Sequence, residues 1–286
     1  MPRPQRRRRK KNRILPTLAI LLPLAVGFLY WSNTSLQVTN FNPMFQGLPS
    51  GFDGCRIVVL SDTQSMVFGD EQTHLLKTVA QQDPDYIFFA GDMTDRFRDT
   101  PANYVETLAS GLSAIAPTYY VTGNHEWAAG KVRDLKSTLT EHGVTVLSNQ
   151  YIPLERNGDT ILLAGIDDPN GYADQKTPQE LAAELYAAEG DTFWLLLAHR
   201  NDRFANEYSL LGADLVISGH AHGGIIRLPF TDGVFSHNEL FPTHTSGLYE
   251  ENDSVLFVTR GLGSSAPACR LFNRPEVAVL TLYNHE

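Results

Sequence analysis

Side chains that can bind metal ions follow five apolar segments of this sequence, each placed where the apolar segment ends. They are two aspartates, one asparagine and three histidines: Asp62, Asp92, Asn124, His199, His220 and His222. Carboxylate, amide oxygen and imidazole together suit divalent transition metals such as Mn, Fe, Zn or Co. One aspartate of this kind could instead cap the helix that follows it. The recurrence of such residues at five segment ends favours a metal site.

The segment from Tyr86 to Ala90 shows where these side chains should lie. Five apolar residues, mostly aromatic or β-branched, precede Gly91 and Asp92, and Asp95 adds a second carboxylate. A short apolar run of this kind predicts a buried strand of an α/β sheet. Open α/β sheets build their sites beyond the carboxyl ends of the strands. An ionised aspartate there must be paired, hydrogen-bonded or bound to metal.

The two histidines at 220 and 222 are separated by one residue and followed by Gly223 and Gly224. In an extended segment both rings would point to one face. In a turn they could instead bind two neighbouring ions. The glycines permit a close approach of the backbone. A plain surface turn is the alternative for this pair taken alone.

The elements that must position these residues alternate between strand and helix from residue 55 onward. Apolar periodicity predicts strands over 55–60, 86–90 and 118–121, and helices over 71–82, 103–114 and 132–142. The second half is richer in predicted strands, over 144–147, 152–156, 160–166, 194–198, 215–218, 255–259 and 277–282, with one helix over 178–188. The composition of the remaining segment, 227–253, predicts loops and hairpins, which would shape the surface that binds the substrate. The fold class is therefore α/β.

The N-terminal region predicts a membrane anchor. Residues 1–13 hold eight basic residues and no acid, and residues 14–31 hold no charge. An apolar run of this length is at the short end for a membrane span, and the alternative is a cleaved signal peptide. No small-residue cleavage site follows the run, which favours an uncleaved anchor over 14–31. The positive-inside rule then places residues 1–13 in the cytoplasm as a basic arm.

Beyond the anchor, residues 32–50 are polar and predict a stalk, and residues 51–286 predict the folded domain. Beyond residue 13 the chain contains 15 basic and 32 acidic residues. Such an acidic body should repel nucleic acid, so no nucleic-acid partner is expected. The domain is expected outside the cytoplasm, at the cell membrane. There, Cys55 and Cys269 could form a disulfide or remain two unpaired thiols.

The ordered motifs resemble those of the calcineurin-like metallophosphoesterase superfamily. They are Asp62-x-Gln64, Gly91-Asp92-x-x-Asp95, Gly123-Asn124-His125-Glu126, His199 and Gly219-His220-x-His222. The chain looks most like the membrane-anchored bacterial branch, with its Gly-His-Ala-His-Gly-Gly motif and a later Arg260-Gly261-Leu262-Gly263. This resemblance implies a four-layer α/β/β/α sandwich of two mixed sheets, behind an N-terminal transmembrane helix.

The resemblance also implies roles for single residues around two divalent ions, with Mn, Fe or Zn expected. Asp92 would bridge both ions. The first ion would also be bound by Asp62, Gln64 and His222, and the second by Asn124, His199 and His220. A hydroxide shared by the ions would attack phosphorus in line. His125 would protonate the leaving group as general acid, with Asp95 orienting it.

Two arginines are candidates for binding the substrate phosphate, Arg96 and Arg200. In the phosphoprotein phosphatase branch an arginine in the place of Arg96 holds the phosphate, and a guanidinium fork suits that task. A solvated surface arginine is the alternative for both.

One departure from the family pattern, at Gln64, leaves two different functions open. Gln64 stands where family members usually have histidine, and an amide oxygen is a harder and weaker ligand than imidazole. The first function is a membrane-anchored hydrolase of a phosphodiester or pyrophosphate bond, acting on a phosphorylated small molecule or a lipid-linked substrate. The second is a degenerate, non-catalytic member that binds metal or phosphate without turnover.

Overall fold

The protein is described here by a computed structural model that covers residues 14–228, 230–231, 233–236, 239–265 and 269–285, with side chains described from residue 17 onward. The basic arm predicted over residues 1–13 lies outside the described residues. Sixteen strands and six α-helices are present in the described part of the chain.

The helices are α1 (Ile14–Thr34), α2 (Thr73–Ala80), α3 (Tyr104–Ser113), α4 (Asn124–Ala129), α5 (Val132–Glu141) and α6 (Pro178–Glu189). The strands of the first half are β1 (Gln37–Phe41), β2 (Met44–Phe45), β3 (Arg56–Leu60), β4 (Tyr86–Ala90), β5 (Thr118–Val121), β6 (Val144–Val146), β7 (Gln150–Arg156) and β8 (Asp159–Gly165). Those of the second half are β9 (Trp194–Leu197), β10 (Leu215–Ser218), β11 (Phe235–Ser236), β12 (Glu239–Leu240), β13 (Gly247–Glu251), β14 (Ser254–Val258), β15 (Glu276–Thr281) and β16 (Tyr283–Asn284).

Two six-stranded mixed sheets form the body of the protein. The first has the order β1-β15-β3-β4-β5-β6, in which β3, β4, β5 and β6 run parallel and β15 runs antiparallel to β3. The second has the order β13-β14-β10-β9-β8-β7, with a parallel centre and antiparallel outer strands. Parallel neighbours bring their carboxyl ends to the same edge of a sheet, which is where the candidate ligands follow the strands.

The two sheets pack face to face, and each is covered by helices on its outer side. Alternate residues of a strand enter different layers: Val59 and Phe88 pack between the sheets, whereas Val58 and Phe89 pack against α2, α3 and α5. The second sheet packs its outer face against α6 and the segment around Tyr208. This period-two alternation follows from the strand geometry. The predicted four-layer α/β/β/α sandwich of two mixed sheets is therefore confirmed.

The segment predicted as a stalk, residues 32–50, is not separate from the domain. Residues Gln37–Phe41 form β1, an edge strand that pairs in parallel with β15 in a register that sets Gln37 opposite Glu276. The prediction was wrong because an edge strand is only half buried, so its sequence is as polar as that of a linker. The folded domain thus begins before residue 51.

Helix α1 includes one stretch, Thr17–Thr34, that is long and apolar enough to cross a membrane, and 6% of that stretch is buried against the protein. Its last two turns contact the domain. Asn33 Oδ1 accepts from the backbone N–H of Arg270 at 2.8 Å, and Phe28 packs on Phe272 with ring centroids 5.2 Å apart. The end of α1 is therefore fixed to the loop that contains Arg270.

The two cysteines are both free thiols. Cys55 is buried and Cys269 is exposed. Burial raises the pKa of Cys55 to about 12, so this thiol stays protonated and unreactive at neutral pH.

Candidate metal centre

The predicted ligands converge at the strand ends. Asp62 and Gln64 follow β3, Asp92 follows β4, and Asn124 opens α4 directly after β5. His199 follows β9 of the second sheet, and His220 and His222 follow β10. Both sheets therefore contribute side chains to one site, which no single strand could form.

The first donor group consists of Asp92, Asn124, His199 and His220. One ligand atom from each of Asp92, His199 and His220 lies within 4.8 Å of the other two. His199 Nε2 lies 3.3 Å from Asp92 Oδ2, 3.1 Å from Asn124 Oδ1 and 3.1 Å from His220 Nδ1. Carboxylate, amide and imidazole atoms that face one point at these separations can hold a divalent ion.

The second donor group consists of Asp62, Gln64 and His222. His222 Nε2 lies 3.6 Å from Asp62 Oδ1 and 3.4 Å from Gln64 Nε2. Asp62 Oδ1 and Gln64 Oε1 are buried and have no hydrogen-bond partner among the described residues. A buried unpaired acceptor costs free energy. Two such oxygens beside one imidazole fit a bound cation, and they place Gln64 among the residues that could hold it.

The histidine pair lies in a turn and not in an extended segment, which were the two conformations that its spacing allowed. His220 has φ of 69° and His222 has φ of 50°, so neither is extended. The turn directs His220 toward the first donor group and His222 toward the second. Asp62, Gln64 and Asp92 also have positive φ, between 45° and 53°. Left-handed backbone at non-glycine residues is costly and is concentrated at functional sites.

Two glycines allow the strand ends to approach this closely. A Cβ atom at Gly123 would lie 2.2 Å from Asp92 Oδ1, and one at Gly219 would lie 2.0 Å from Ser61 Oγ and 2.6 Å from Asp62 Oδ2. Any other residue at either position would therefore displace a candidate ligand.

The histidines of the two groups differ in protonation. Burial would lower the pKa of His199, but the charge of Asp92 and a hydrogen bond to it outweigh burial and raise the pKa to about 10. Burial and the nearby charge of Arg270 lower the pKa of His222 to about 3. Metal ions bind neutral imidazole, so His222 is already in the binding form. His199 must lose a proton when an ion binds.

The carboxylates shift in opposite directions. Burial raises the pKa of Asp62, whose charge is opposed by that of Asp92. Burial acts on Asp92 in the same sense, but the positive charge of His199 outweighs it and holds the pKa of Asp92 below its usual range. The ring of His199 is oriented by its Nδ1, which lies 2.7 Å from the carbonyl oxygen of Ala90. A donating Nδ1–H leaves Nε2 facing the donor group.

His125 lies at the edge of the first donor group, at the start of α4. Its Nδ1 lies 3.0 Å from Asp95 Oδ1, and its Nε2 lies 3.9 Å from Asp92 Oδ2. The backbone N–H of His125 donates to Asp92 Oδ1 at 2.8 Å. The structure therefore brings the predicted acid and its predicted orienting carboxylate together beside the candidate ligands.

The two candidate phosphate arginines have different surroundings. Arg96 is exposed, and its guanidinium lies over the ring of Phe97 at 4.3 Å from the ring centroid. Arg200 Nε donates to Asp168 Oδ2 at 2.7 Å, and its Nη1 lies 3.3 Å from His220 Nε2. Arg200 is thus committed to a carboxylate, whereas the guanidinium of Arg96 faces solvent.

Three residues support the site in roles that the sequence did not predict, and one of them, Glu126, belongs to a motif quoted above. Glu126 accepts from the backbone N–H groups of Asp92, Gly123 and Thr94 at 3.1, 2.8 and 2.9 Å, and so joins the loops after β4 and β5. Asp168 pairs with Arg200, and Arg270 Nη2 lies 3.4 Å from His222 Nδ1. Asp168 closely follows the apolar strand β8, which is the same sequence pattern that identified the candidate ligands. Nothing in the local sequence marks Arg270.

Comparison with known proteins agrees with the geometry. A sequence profile for the calcineurin-like phosphoesterase family matches residues 55–224. The metallophosphoesterase YkuE of Bacillus subtilis is 32% identical over 243 residues, covering 82% of this chain and 81% of the relative. The metallophosphoesterase YkoQ of the same organism is 29% identical and covers 92% of this chain and 97% of the relative.

A relative in Danio rerio, a transmembrane protein with a metallophosphoesterase domain, is 29% identical and covers 93% of this chain. The match spans 61% of the fish protein. The profile match, the similarity to YkuE and the convergent donor groups lead to one conclusion: the chain belongs to the calcineurin-like phosphoesterase family and is a metal-dependent hydrolase of phosphoesters.

Proposed function

We propose that this protein is a membrane-anchored phosphoesterase that uses two divalent metal ions to hydrolyse a phosphodiester or pyrophosphate bond. The observation that supports two ions is the division of the donors into two adjacent groups. His199 and His220 belong to one group and His222 to the other, with unpaired acceptors on Asp62 and Gln64. Asp92 Oδ2 lies 3.3 Å from His199 Nε2, and Asp92 would be shared by the two groups, as the family resemblance implies.

The donor set suits Mn, Fe or Zn, because it combines imidazole with oxygen ligands. Two such ions, when bound, lower the pKa of a shared water and stabilise charge on the phosphate oxygens. The protein's own contribution is to hold the ligands. Asp92, His199 and His220 are each at least 97% buried, so their orientation is set by packing and not by solvent.

His125 is assigned as the general acid. Its Nδ1 lies beside the Asp95 carboxylate, so that Nε2 is turned toward the metal ligands and can donate a proton to the departing oxygen. Asp95 is a positioning residue in this assignment, because it acts through the imidazole. Of the two candidate arginines, Arg96 with its exposed side chain is the better placed to bind an oxygen of the reacting phosphate, because Arg200 is paired with Asp168.

The proposed anchor is α1, which would place the protein at the cell membrane with its catalytic domain outside the cytoplasm. Support comes from the apolar stretch Thr17–Thr34, from the basic residues that precede it and from the similarity to a transmembrane relative. A site held next to a bilayer favours a phosphorylated small molecule or a lipid-linked substrate, and the acidic body disfavours nucleic acid.

The proposal is tested with the full chain in detergent micelles, because the end of α1 packs on the domain. Metal is removed with a chelator, and hydrolysis of a chromogenic phosphodiester and of a phosphomonoester is followed while Mn, Zn, Fe or Mg is added. We expect metal-dependent diester hydrolysis with two ions bound per chain. A single bound ion at full activity would contradict the dinuclear mechanism.

The second function, a degenerate member without turnover, depends on Gln64. The buried, unpaired Oε1 of Gln64 instead supports a working metal site. A protein that no longer binds metal there would gain nothing from burying an acceptor beside Asp62 and His222. Absence of hydrolysis with every ion, together with fewer than two metals bound, would favour the degenerate member.

A further inference from the structure

A small cavity of about 120 Å³ lies between the end of α1 and the part of the site formed by Gln64 and His222. Asn33 of α1 lines it together with Gly263, Ser264 and two arginines, Arg98 and Arg270. Among the described residues that line it, none is a carboxylate. Two cationic side chains therefore share one cavity without a negative group in its wall.

Arg270 forms the floor of this cavity and is 1% exposed. Its Nε donates to the carbonyl oxygen of Gly263 at 3.0 Å and to Ser264 Oγ at 3.1 Å, and its Nη2 donates to the carbonyl oxygen of Arg260 at 2.7 Å. Its Nη1 is buried and has no hydrogen-bond partner among the described residues. The guanidinium is thus held firmly by neutral groups.

Arg98 is half-buried at the side of the cavity. Its Nη1 donates to the carbonyl oxygen of Gln64 at 3.0 Å, and its Nη2 lies 3.4 Å from that of Ser264. A guanidinium has five N–H donors, so several remain for a further ligand. Within the described part of the chain, the arginines with carboxylate partners are Arg156, Arg200, Arg203 and Arg260. Arg98 and Arg270 are not among them.

A buried charge without a partner is costly, and it is stabilised when an opposite charge enters the site. An arginine guanidinium stays protonated in proteins, so both side chains bring a positive charge to the cavity. The described wall of the cavity therefore contains two positive charges and no carboxylate, and the buried carboxylates of Asp62 and Glu276 act on Arg270 from outside that wall. A tetrahedral oxyanion matches the fork of a guanidinium and the size of the space.

We propose that this cavity is a second anion subsite, in which Arg98 binds a phosphate group directly and Arg270 supplies positive charge beneath it. The subsite lies beside the candidate metal ligands, since Arg270 Nη2 lies 3.4 Å from His222 Nδ1, but none of those ligands is among the described residues that line the cavity. It accordingly accommodates a phosphate other than the one undergoing hydrolysis.

The location of the subsite indicates where that phosphate comes from. Asn33 Nδ2 donates to the carbonyl oxygen of Arg270 at 2.9 Å, and Ser32 Oγ donates to the same oxygen at 3.2 Å. The subsite is thus fixed to the end of the proposed anchor. The phosphate belongs either to a lipid headgroup or to the second phosphate of a pyrophosphate-type substrate. This use of the subsite rests on the proposed function, whereas its affinity for phosphate does not.

The test measures binding to the full chain in detergent micelles after metal removal. Inorganic phosphate and dihexanoylphosphatidic acid are titrated separately by calorimetry at constant ionic strength. We expect Arg98→Gln to weaken binding about tenfold, the size of one charge-assisted hydrogen bond. Arg203→Gln removes the same charge at an exposed position paired with Glu207 and should leave both affinities unchanged.

Each outcome has one meaning. Weakening for both probes in Arg98→Gln supports the subsite as a general phosphate site, weakening for the lipid probe alone supports a headgroup, and weakening for inorganic phosphate alone supports a substrate phosphate. Equal affinities in the wild type, Arg98→Gln and Arg203→Gln would overturn the subsite. Phosphate binding to the metal-free protein does not depend on turnover. The binding result can therefore be interpreted even if the protein does not hydrolyse the proposed substrates.

Discussion

Asp95 Oδ1 lies 3.0 Å from Nδ1 of His125, while the other ring nitrogen of His125 lies 3.9 Å from the carboxylate of Asp92. The imidazole is therefore held between a carboxylate that orients it and a candidate metal ligand. Asp95 itself is fixed, because its Oδ1 accepts from the backbone N–H of Phe97 at 3.0 Å. A ring held in this way can present one nitrogen to a leaving group at each turnover.

This relationship predicts a dependence on the leaving group. His125→Asn should lower kcat about a hundredfold or more for a diester with an alkoxide leaving group, because that oxygen needs a proton to depart. The loss should be much smaller for a p-nitrophenyl ester, whose leaving group departs as an anion. Steady-state kinetics on the two substrates measures the difference. Equal losses for both would remove His125 from the role of acid.

Asp95→Asn tests the orienting role separately. The amide can still accept from Phe97 but cannot stabilise a charged imidazole, so kcat should fall about tenfold to a hundredfold with KM unchanged. The pH–rate profile should shift on the limb that reports the acid. A fall in kcat with the profile unmoved would indicate only a structural role for Asp95.

Asp92→Asn should abolish the site. The variant loses the charge that faces His199, so we expect at least about a hundredfold lower activity together with loss of bound metal, measured by elemental analysis of dialysed protein. Asp191→Asn, at an exposed aspartate, is the matched control and should retain both. Full metal content with full activity in Asp92→Asn would contradict the assignment of Asp92 as a ligand.

If Gln64 is a metal ligand, metal affinity should rise from Gln64→Ala through the wild type to Gln64→His. Gln64→Ala removes the unpaired Oε1 and should weaken metal binding at one site by about tenfold or more, whereas Gln64→His should strengthen it, because imidazole is the better ligand for transition metals. Competition with a chromophoric chelator measures the two affinities. If Gln64→Ala binds metal as the wild type does, the amide is not a ligand.

Asp214 predicts a pH-dependent stability unrelated to catalysis. Its Oδ2 accepts from the backbone N–H of Trp194 at 2.8 Å, and burial raises its pKa to about 6. The folded state then binds more protons than the unfolded state between about pH 4 and pH 6, so this carboxyl lowers stability as the pH rises through that range.

Asp214→Asn keeps an acceptor for Trp194 but cannot ionise. Its free energy of unfolding, relative to the wild type, should therefore increase by about 1–2 kcal/mol between pH 4 and pH 7, a value reduced by the partial exposure of the side chain. Urea unfolding of both proteins at three pH values checks this. A difference that is constant with pH would show that Asp214 titrates normally in the folded protein.

The sequence by itself determined the fold class and the set of candidate ligands. Apolar runs such as Tyr86–Ala90 mark buried strands, and the polar residue that follows each run is fixed to the strand's carboxyl end by chain connectivity alone. These signals are local. They do not depend on which strands are neighbours. The order of the motifs along the chain then indicated the calcineurin-like family.

The tertiary structure decided how the candidate ligands are divided between the two donor groups and which distant segments contact them. The turn at His220 and His222 separates two rings that spacing alone could have placed on one face, and the pairing of β1 with β15 joins residues more than 230 positions apart. Arg270 reaches His222 through a loop that is fixed by Asn33 of α1. Long-range contacts of this kind depend on which surfaces pack, and packing is a property of the whole chain, which no local period or spacing records.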